Sequence, residues 1–132
     1  SMAKYAKLVY GFEINESAIN DAKVNAKMNH INNIQFLKGD LQNIFRVNLE
    51  TNKIENPNII ILDPPRAGMH KKTILDIIEK EPKKIIYISC NPSTQARDIK
   101  ELSQNNYELK KVLPLDMFPH TPHVENIAIL EK

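Results

Sequence analysis

Ser89-Cys90-Asn91-Pro92 holds the single cysteine of the chain, directly after the apolar run Ile85-Ile86-Tyr87-Ile88. A thiol at a strand end, just before a helix start, is well placed to act as a nucleophile. Asn91 reads as an N-cap and Pro92 as the first helical residue, so the helix that follows aims its N-terminus near the thiol. Unpaired N–H groups and the helix dipole there favour the thiolate over the thiol. A lone cysteine is also commonly a small buried hydrophobe, and on this segment alone both readings stay open.

Three further groups of residues bear on the chemistry. Predicted strands end in the carboxylates Glu13, Asp40 and Asp63. In an open α/β sheet ligands bind beyond the carboxyl ends of the strands, and an acid there accepts hydrogen bonds from ribose hydroxyls. Each acid alone is an ordinary turn or cap residue; three in consecutive positions suit a nucleoside-like ligand such as the adenosyl moiety of S-adenosylmethionine. The turn Asp63-Pro64-Pro65-Arg66 has its backbone fixed by two prolines and presents Asp63 at a strand end. Related Pro-Pro-aromatic turns occur in amino-group methyltransferases, where the aromatic ring stacks on the base. Arg66 takes that place here, which argues against exocyclic-amine chemistry. Finally, Phe118-Pro119-His120-Thr121-Pro122-His123-Val124-Glu125 ends in an acid that is either an ordinary strand residue or a functional one. His120 and His123 lack further Cys/His partners, so no metal is assigned to them.

The elements that must position these groups alternate in the manner of a largely parallel sheet with helices on both faces. Leu8–Ile14 reads as a strand, followed by a helix over Glu16–Asn29 with Asn15 as N-cap and Ile19, Ala22 and Ala26 on one face. Ile34–Leu37 is a short strand ending at Gly39-Asp40, and residues 48–56 read as a polar loop. Ile59–Leu62 is wholly apolar, as expected of a central strand buried on both faces, and Asp63-Pro64-Pro65 ends it. A helix near Lys71–Glu79 turns Ile74, Ile77 and Ile78 inward, and the helix after Cys90 turns Ile99 and Leu102 inward. Tyr107–Leu113 and Val124–Leu130 are predicted to form a final antiparallel pair.

The 132 residues make one domain with a single core. Hydrophobic residues make up 42%, and no apolar run approaches the length of a membrane span. No signal peptide is expected, and a single cysteine excludes an internal disulfide and fits the reducing cytoplasm. Ser1-Met2 has the look of a cloning scar. A net charge of +2 neither demands nor excludes RNA; the pairs Lys71-Lys72, Lys83-Lys84 and Lys110-Lys111 could touch phosphates but read first as solvated surface.

Taken together these residues resemble the RNA uracil-C5 methyltransferase family, which makes 5-methyluridine in tRNA or rRNA. One signature joins Asp63-Pro64-Pro65-Arg66-Ala67-Gly68 to Ile85-Ile86-Tyr87-Ile88-Ser89-Cys90-Asn91-Pro92-Ser93-Thr94; the other is Leu115-Asp116-Met117-Phe118-Pro119-His120-Thr121-Pro122-His123-Val124-Glu125. The resemblance spans nearly the whole chain. It implies a Rossmann-like, S-adenosylmethionine-dependent α/β sheet, mostly parallel with a C-terminal antiparallel strand pair. It implies that Cys90 adds to uracil C6 and that Glu125 removes the C5 proton. Glu13, Asp40 and Asp63 match the family's cofactor-side positions, and Asp63 and Arg66 are assigned to the uracil ring or its developing charge. The target base would have to be splayed out.

The resemblance also implies parts not found in these residues: a first strand, a Gly-rich loop, and N-terminal RNA-binding portions. The chain therefore reads as a single truncated catalytic domain over residues 1–132. In the family's sheet the lost strand lies between those ending at Glu13 and Asp63. Unpaired backbone groups are costly, so these two strands are expected to close up directly or to receive a strand from another chain. Two functions follow: a uridine-C5 methyltransferase whose isolated fragment is inactive, or a catalytically silent module that oligomerises or contacts RNA. The oligomeric state stays open, though the exposed edge of an incomplete sheet would invite self-association.

Overall fold

The computed structural model describes residues 2–39 and 54–132, so Asp40 and most of the predicted polar loop lie outside the described residues. The chain divides into two units, Ser1–Ile54 and Glu55–Lys132.

The first unit is a strand–helix–strand element. After a 3-10 turn at Met2–Tyr5, β1 (Val9–Glu13) leads into α1 (Glu16–Met28) and β2 (Ile34–Lys38). Asn15 caps α1 as its sequence predicts, its side-chain oxygen accepting from the Ser17 N–H at 2.9 Å. The strands pair in parallel from Val9 opposite Ile34 to Glu13 opposite Lys38. Gly11 stands opposite Phe36, and a Cβ there would meet the ring at 2.9 Å; the aromatic side chain occupies the space that glycine leaves. Asn33 ties the start of β2 to the N-terminal turn through the carbonyls of Ala3 and Ala6.

The second unit is a four-stranded sheet with two helices. β3 (Ile59–Leu62), α2 (Lys71–Lys80), β4 (Lys84–Ser89), α3 (Pro92–Ser103), β5 (Glu108–Leu115) and β6 (Glu125–Glu131) follow in chain order. In space the strands run β3-β4-β6-β5, with β3 and β4 parallel and β6 antiparallel to both its neighbours. The predicted final pair is present, and its second strand inserts between β4 and β5. The register puts Ile60, Ile85 and Leu130 in one row and Leu62, Tyr87 and Ala128 in the next, all buried on one face. Ile74 and Ile77 of α2 and Leu102 of α3 complete the core. β5 is an edge strand, and Lys110, Lys111 and Pro114 along it discourage further pairing.

One expectation needs correction. Ile59 and Ile61 are 54% and 40% exposed, so β3 is buried on one face only. The physical reason is the pleat: Ile60 and Leu62 point to the face that shares Tyr87 and Ala128, where the buried side chains gather. Among the described residues β1 is laddered to β2 and β3 to β4, in separate sheets.

Candidate functional site

Every candidate side chain of the second unit stands at one end of its sheet. β3 and β4 deliver Asp63 and Cys90 just beyond their carboxyl ends. β6 runs antiparallel and therefore begins, with Glu125, at that same end. Ser89 is paired with Asn126 across the β4–β6 ladder. Cys90 follows the one and Glu125 precedes the other, so these two residues, 35 positions apart in the sequence, flank the last pair of the ladder. Residues directly opposite in such a ladder have Cα atoms roughly 5 Å apart.

The backbone around Cys90 is held on both sides. The Ser89 hydroxyl accepts from the Asn91 N–H at 3.0 Å and donates to the Asn91 carbonyl at 3.1 Å. Asn91 caps α3 through its side-chain oxygen, which accepts from the Ser93 N–H at 3.2 Å, and Pro92 is the first helical residue. Cys90, half-buried with a free thiol, thus sits two residues before a helix N-terminus. The other end of the Asn91 side chain reaches out: its Nδ2 donates to the Arg66 carbonyl at 3.0 Å, and the Thr94 hydroxyl donates to the same oxygen at 3.1 Å. The cap of the helix after the cysteine is therefore also the anchor of the Asp63-Pro64-Pro65-Arg66 turn.

A second anchor lies deeper. Asp98, fully buried on α3, accepts from the Met69 N–H and from the Tyr87 hydroxyl, each at 2.7 Å, through Oδ2. Its Oδ1 accepts from Arg97 Nε and Nη2 at 2.9 and 2.7 Å, and Arg97 Nη2 donates onward to the Ala67 carbonyl at 3.0 Å. Burial, and then the hydrogen bond to Asp98, push the Tyr87 phenol up, so it stays a donor. Gly68 has φ +80° and its missing Cβ would fall 2.6 Å from Asp98 Oδ2. Only glycine combines that left-handed backbone with so close an approach.

Arg66 is exposed, and its Nη2 lies 3.5 Å from His123 Nδ1, so the turn after β3 meets the segment leading into β6. His120, with φ +68°, belongs to the turn in which the Thr121 hydroxyl donates to the Phe118 carbonyl.

Asp63, Arg66, Cys90 and Glu125 thus belong to one unit and one end of one sheet. Glu13 belongs to the first unit, exposed at the end of β1, with Oε1 accepting from the Asn15 N–H at 2.8 Å. Asp40 lies outside the described residues. Sequence reasoning missed His123 as a neighbour of Arg66, and it missed the buried polar residues Gln95 and Asp98. The spacing of Gln95 and Asp98 from Asn91, four and seven residues along one helix face, was the available signal.

Comparison with known proteins gives the family. The sequence model of the tRNA (uracil-5-)-methyltransferase family matches residues 1–132. An uncharacterized RNA methyltransferase of Bacteroides thetaiotaomicron is 48% identical over 130 residues, 98% of this chain and 28% of that protein. One of Chlorobaculum tepidum is 40% identical over 131 residues, 99% of this chain and 27% of that protein. The chain thus spans under a third of the length of these relatives. Among solved structures, the tRNA (uracil-54, C5)-methyltransferase of Pyrococcus abyssi, in complex with S-adenosyl-L-homocysteine, aligns with a TM-score of 0.80 and 37% identity, covering 98% of this chain and 30% of that one. A Streptococcus thermophilus rRNA methylase aligns with a TM-score of 0.69 at 13% identity, a likeness of fold alone. With its whole length matched, the chain belongs to the tRNA (uracil-5-)-methyltransferase family and has the α/β fold of S-adenosylmethionine-dependent methyltransferases.

Proposed function

We propose that this chain is part of the catalytic domain of an enzyme that methylates C5 of uridine in tRNA or rRNA, its two units acting as one domain. The observation that supports the proposal is that Cys90 and Glu125 flank the Ser89–Asn126 pair at the end of the β4–β6 ladder. Uracil C5 is a poor nucleophile until a second nucleophile adds to C6. The Cys90 thiolate forms the Sγ–C6 bond, and the electron pair of the C5=C6 bond moves to C5 and O4. S-adenosylmethionine, when bound, supplies an electrophilic methyl group to that carbon. Glu125 then takes the C5 proton, the C5=C6 bond re-forms, and the Sγ–C6 bond breaks to return the thiolate. Arg66, held near His123, is suited to the negative charge that develops on the ring, and Asp63 is assigned to accept from the ring itself.

The residues present fit the cofactor. Glu13 and Asp63 each end a strand with an exposed carboxylate, and carboxylates accept hydrogen bonds from ribose hydroxyls and from ammonium or amine groups. Asp40 is assigned with them. Calorimetric titration with S-adenosylhomocysteine tests this: saturable binding that Asp40→Ala abolishes supports it, and an unchanged Asp40→Ala isotherm refutes the assignment. The reaction is tested in the complete protein carrying this chain. Nucleoside mass spectrometry should find 5-methyluridine with the wild type and none with Cys90→Ala. Methylation at another atom, or undiminished 5-methyluridine with Cys90→Ala, refutes the mechanism.

A second reading takes the isolated chain as a silent module that self-associates. Ile59 and Ile61 of β3, an end strand of its sheet, favour it. Sedimentation decides: a dimer that Ile61→Glu dissociates supports it, and a monomer at all concentrations refutes it.

A further inference from the structure

The ladder between β4 and β6 ends at Ser89 and Asn126, one residue short of the two side chains proposed to react. Strand ends fray, because their last hydrogen bonds open at little cost. Something must hold this one shut if a thiolate and a base are to meet the same ring from fixed positions. Gln95 lies over that end of the ladder. It is 1% exposed, on the buried face of α3, one turn after the N-cap Asn91. Its Nε2 donates to the Tyr87 carbonyl of β4 at 2.8 Å and to the Asn126 carbonyl of β6 at 3.1 Å. Its Oε1 accepts from Asn126 Nδ2. Two carbonyls face the amide nitrogen and one amide faces the oxygen, so the orientation of the group is fixed by its partners.

Each polar atom of this carboxamide is thus used, and all of its bonds span the two strands rather than α3. A buried amide adds little net stability over a well-packed apolar residue of similar size, so its stability contribution alone does not account for it. We infer that Gln95 is a positioning residue: by clamping the end of β4 to the start of β6 it sets Glu125 against Cys90. The inference rests on the roles proposed above for those two residues. Its consequence is unequal for them. Cys90 has independent anchors in the Ser89–Asn91 pair and the capped helix. Glu125 stands at the first position of β6, beyond the β4 ladder, where its strand partner is Leu115 of the exposed edge strand β5. Loosening the clamp displaces the base more than the nucleophile, so C6 addition continues while C5 proton removal lags.

The test uses the complete protein with RNA carrying tritium at uridine C5, and compares wild type, Gln95→Met, Asn126→Ala and Cys90→Ala. For Gln95→Met the expected result is tritium release slowed about tenfold or more, with KM for RNA and for S-adenosylmethionine nearly unchanged. The fraction of enzyme held as covalent RNA adduct at steady state should rise at the same time. Asn126→Ala, which leaves the backbone bonds of Gln95 in place, should shift the same ratio in the same direction by less, and serves if Gln95→Met fails to fold. A fall in rate with no rise in adduct would mean a merely structural role and overturns the inference, as does wild-type partitioning in both variants. Cys90→Ala separates the levels: adduct that persists there defeats the proposed mechanism itself. Adduct lost there, with unaltered partitioning in the other two variants, defeats only the role of Gln95.

Discussion

Ser89 and Asn126 face each other across the β4–β6 ladder, and the nucleophile and base proposed for this protein are their immediate neighbours. The antiparallel insertion of β6 beside β4 is what makes this possible. Had β6 paired only with β5, Glu125 would stand a strand's width further from Cys90.

Gly68→Ala tests how tightly the turn after β3 is seated. The new Cβ would press on Asp98 Oδ2 from a backbone at φ +80°. Strain of this kind costs on the order of 1–3 kcal/mol. Urea unfolding of the chain should show that loss, and an unchanged midpoint would mean that the turn relaxes freely.

Tyr87→Phe should change stability in a pH-dependent way. The Tyr87 phenol is raised in the folded protein by burial and by its bond to Asp98, so its contribution is fully present below the ordinary tyrosine range, near pH 10. It is lost as pH rises through that range toward the raised folded value. At neutral pH the variant should be less stable by about 1–2 kcal/mol, since Asp98 loses a donor. The gap to wild type should narrow above roughly pH 10. A gap independent of pH, measured by thermal melts, would contradict the role given to this hydrogen bond.

Asn91→Ala removes a helix cap and a tie to Arg66 together. A lost cap costs about 1 kcal/mol. Hydrogen exchange should show faster opening at both Ser93 and the Asp63–Gly68 turn. Exchange raised at Ser93 alone would mean that the turn does not depend on Asn91.

Much of this was legible beforehand, and the exceptions share a cause. Asn15, Asn91 and Pro92 mark helix starts by local chemistry, and each lies where its type predicts. Ile59–Leu62 was legible as a strand, yet its burial was not, because an unbroken apolar run is blind to which face a neighbour covers. Cys90 and Glu125 were picked out as candidates by the family's signatures, whereas the buried polar residues near them were not. Gln95 and Asp98 look like ordinary polar positions of an amphipathic helix until the register of β4 and β6 and the turn after β3 bring carbonyls and donors to them. Local patterns carry caps and strands; long-range partners for buried polar groups appear only in three dimensions.

The central claim is a covalent bond between Cys90 and uracil C6. RNA containing 5-fluorouridine tests it most directly, because C5 then carries fluorine, which Glu125 cannot remove as a proton, and the adduct cannot resolve. Intact-mass and peptide mass spectrometry of the complete protein, incubated with this RNA and S-adenosylmethionine, should find methylated fluorouridine bound to the Cys90 peptide, and nothing bound in Cys90→Ala. An adduct on another residue, or efficient uridine methylation with no trapped species, would contradict the account.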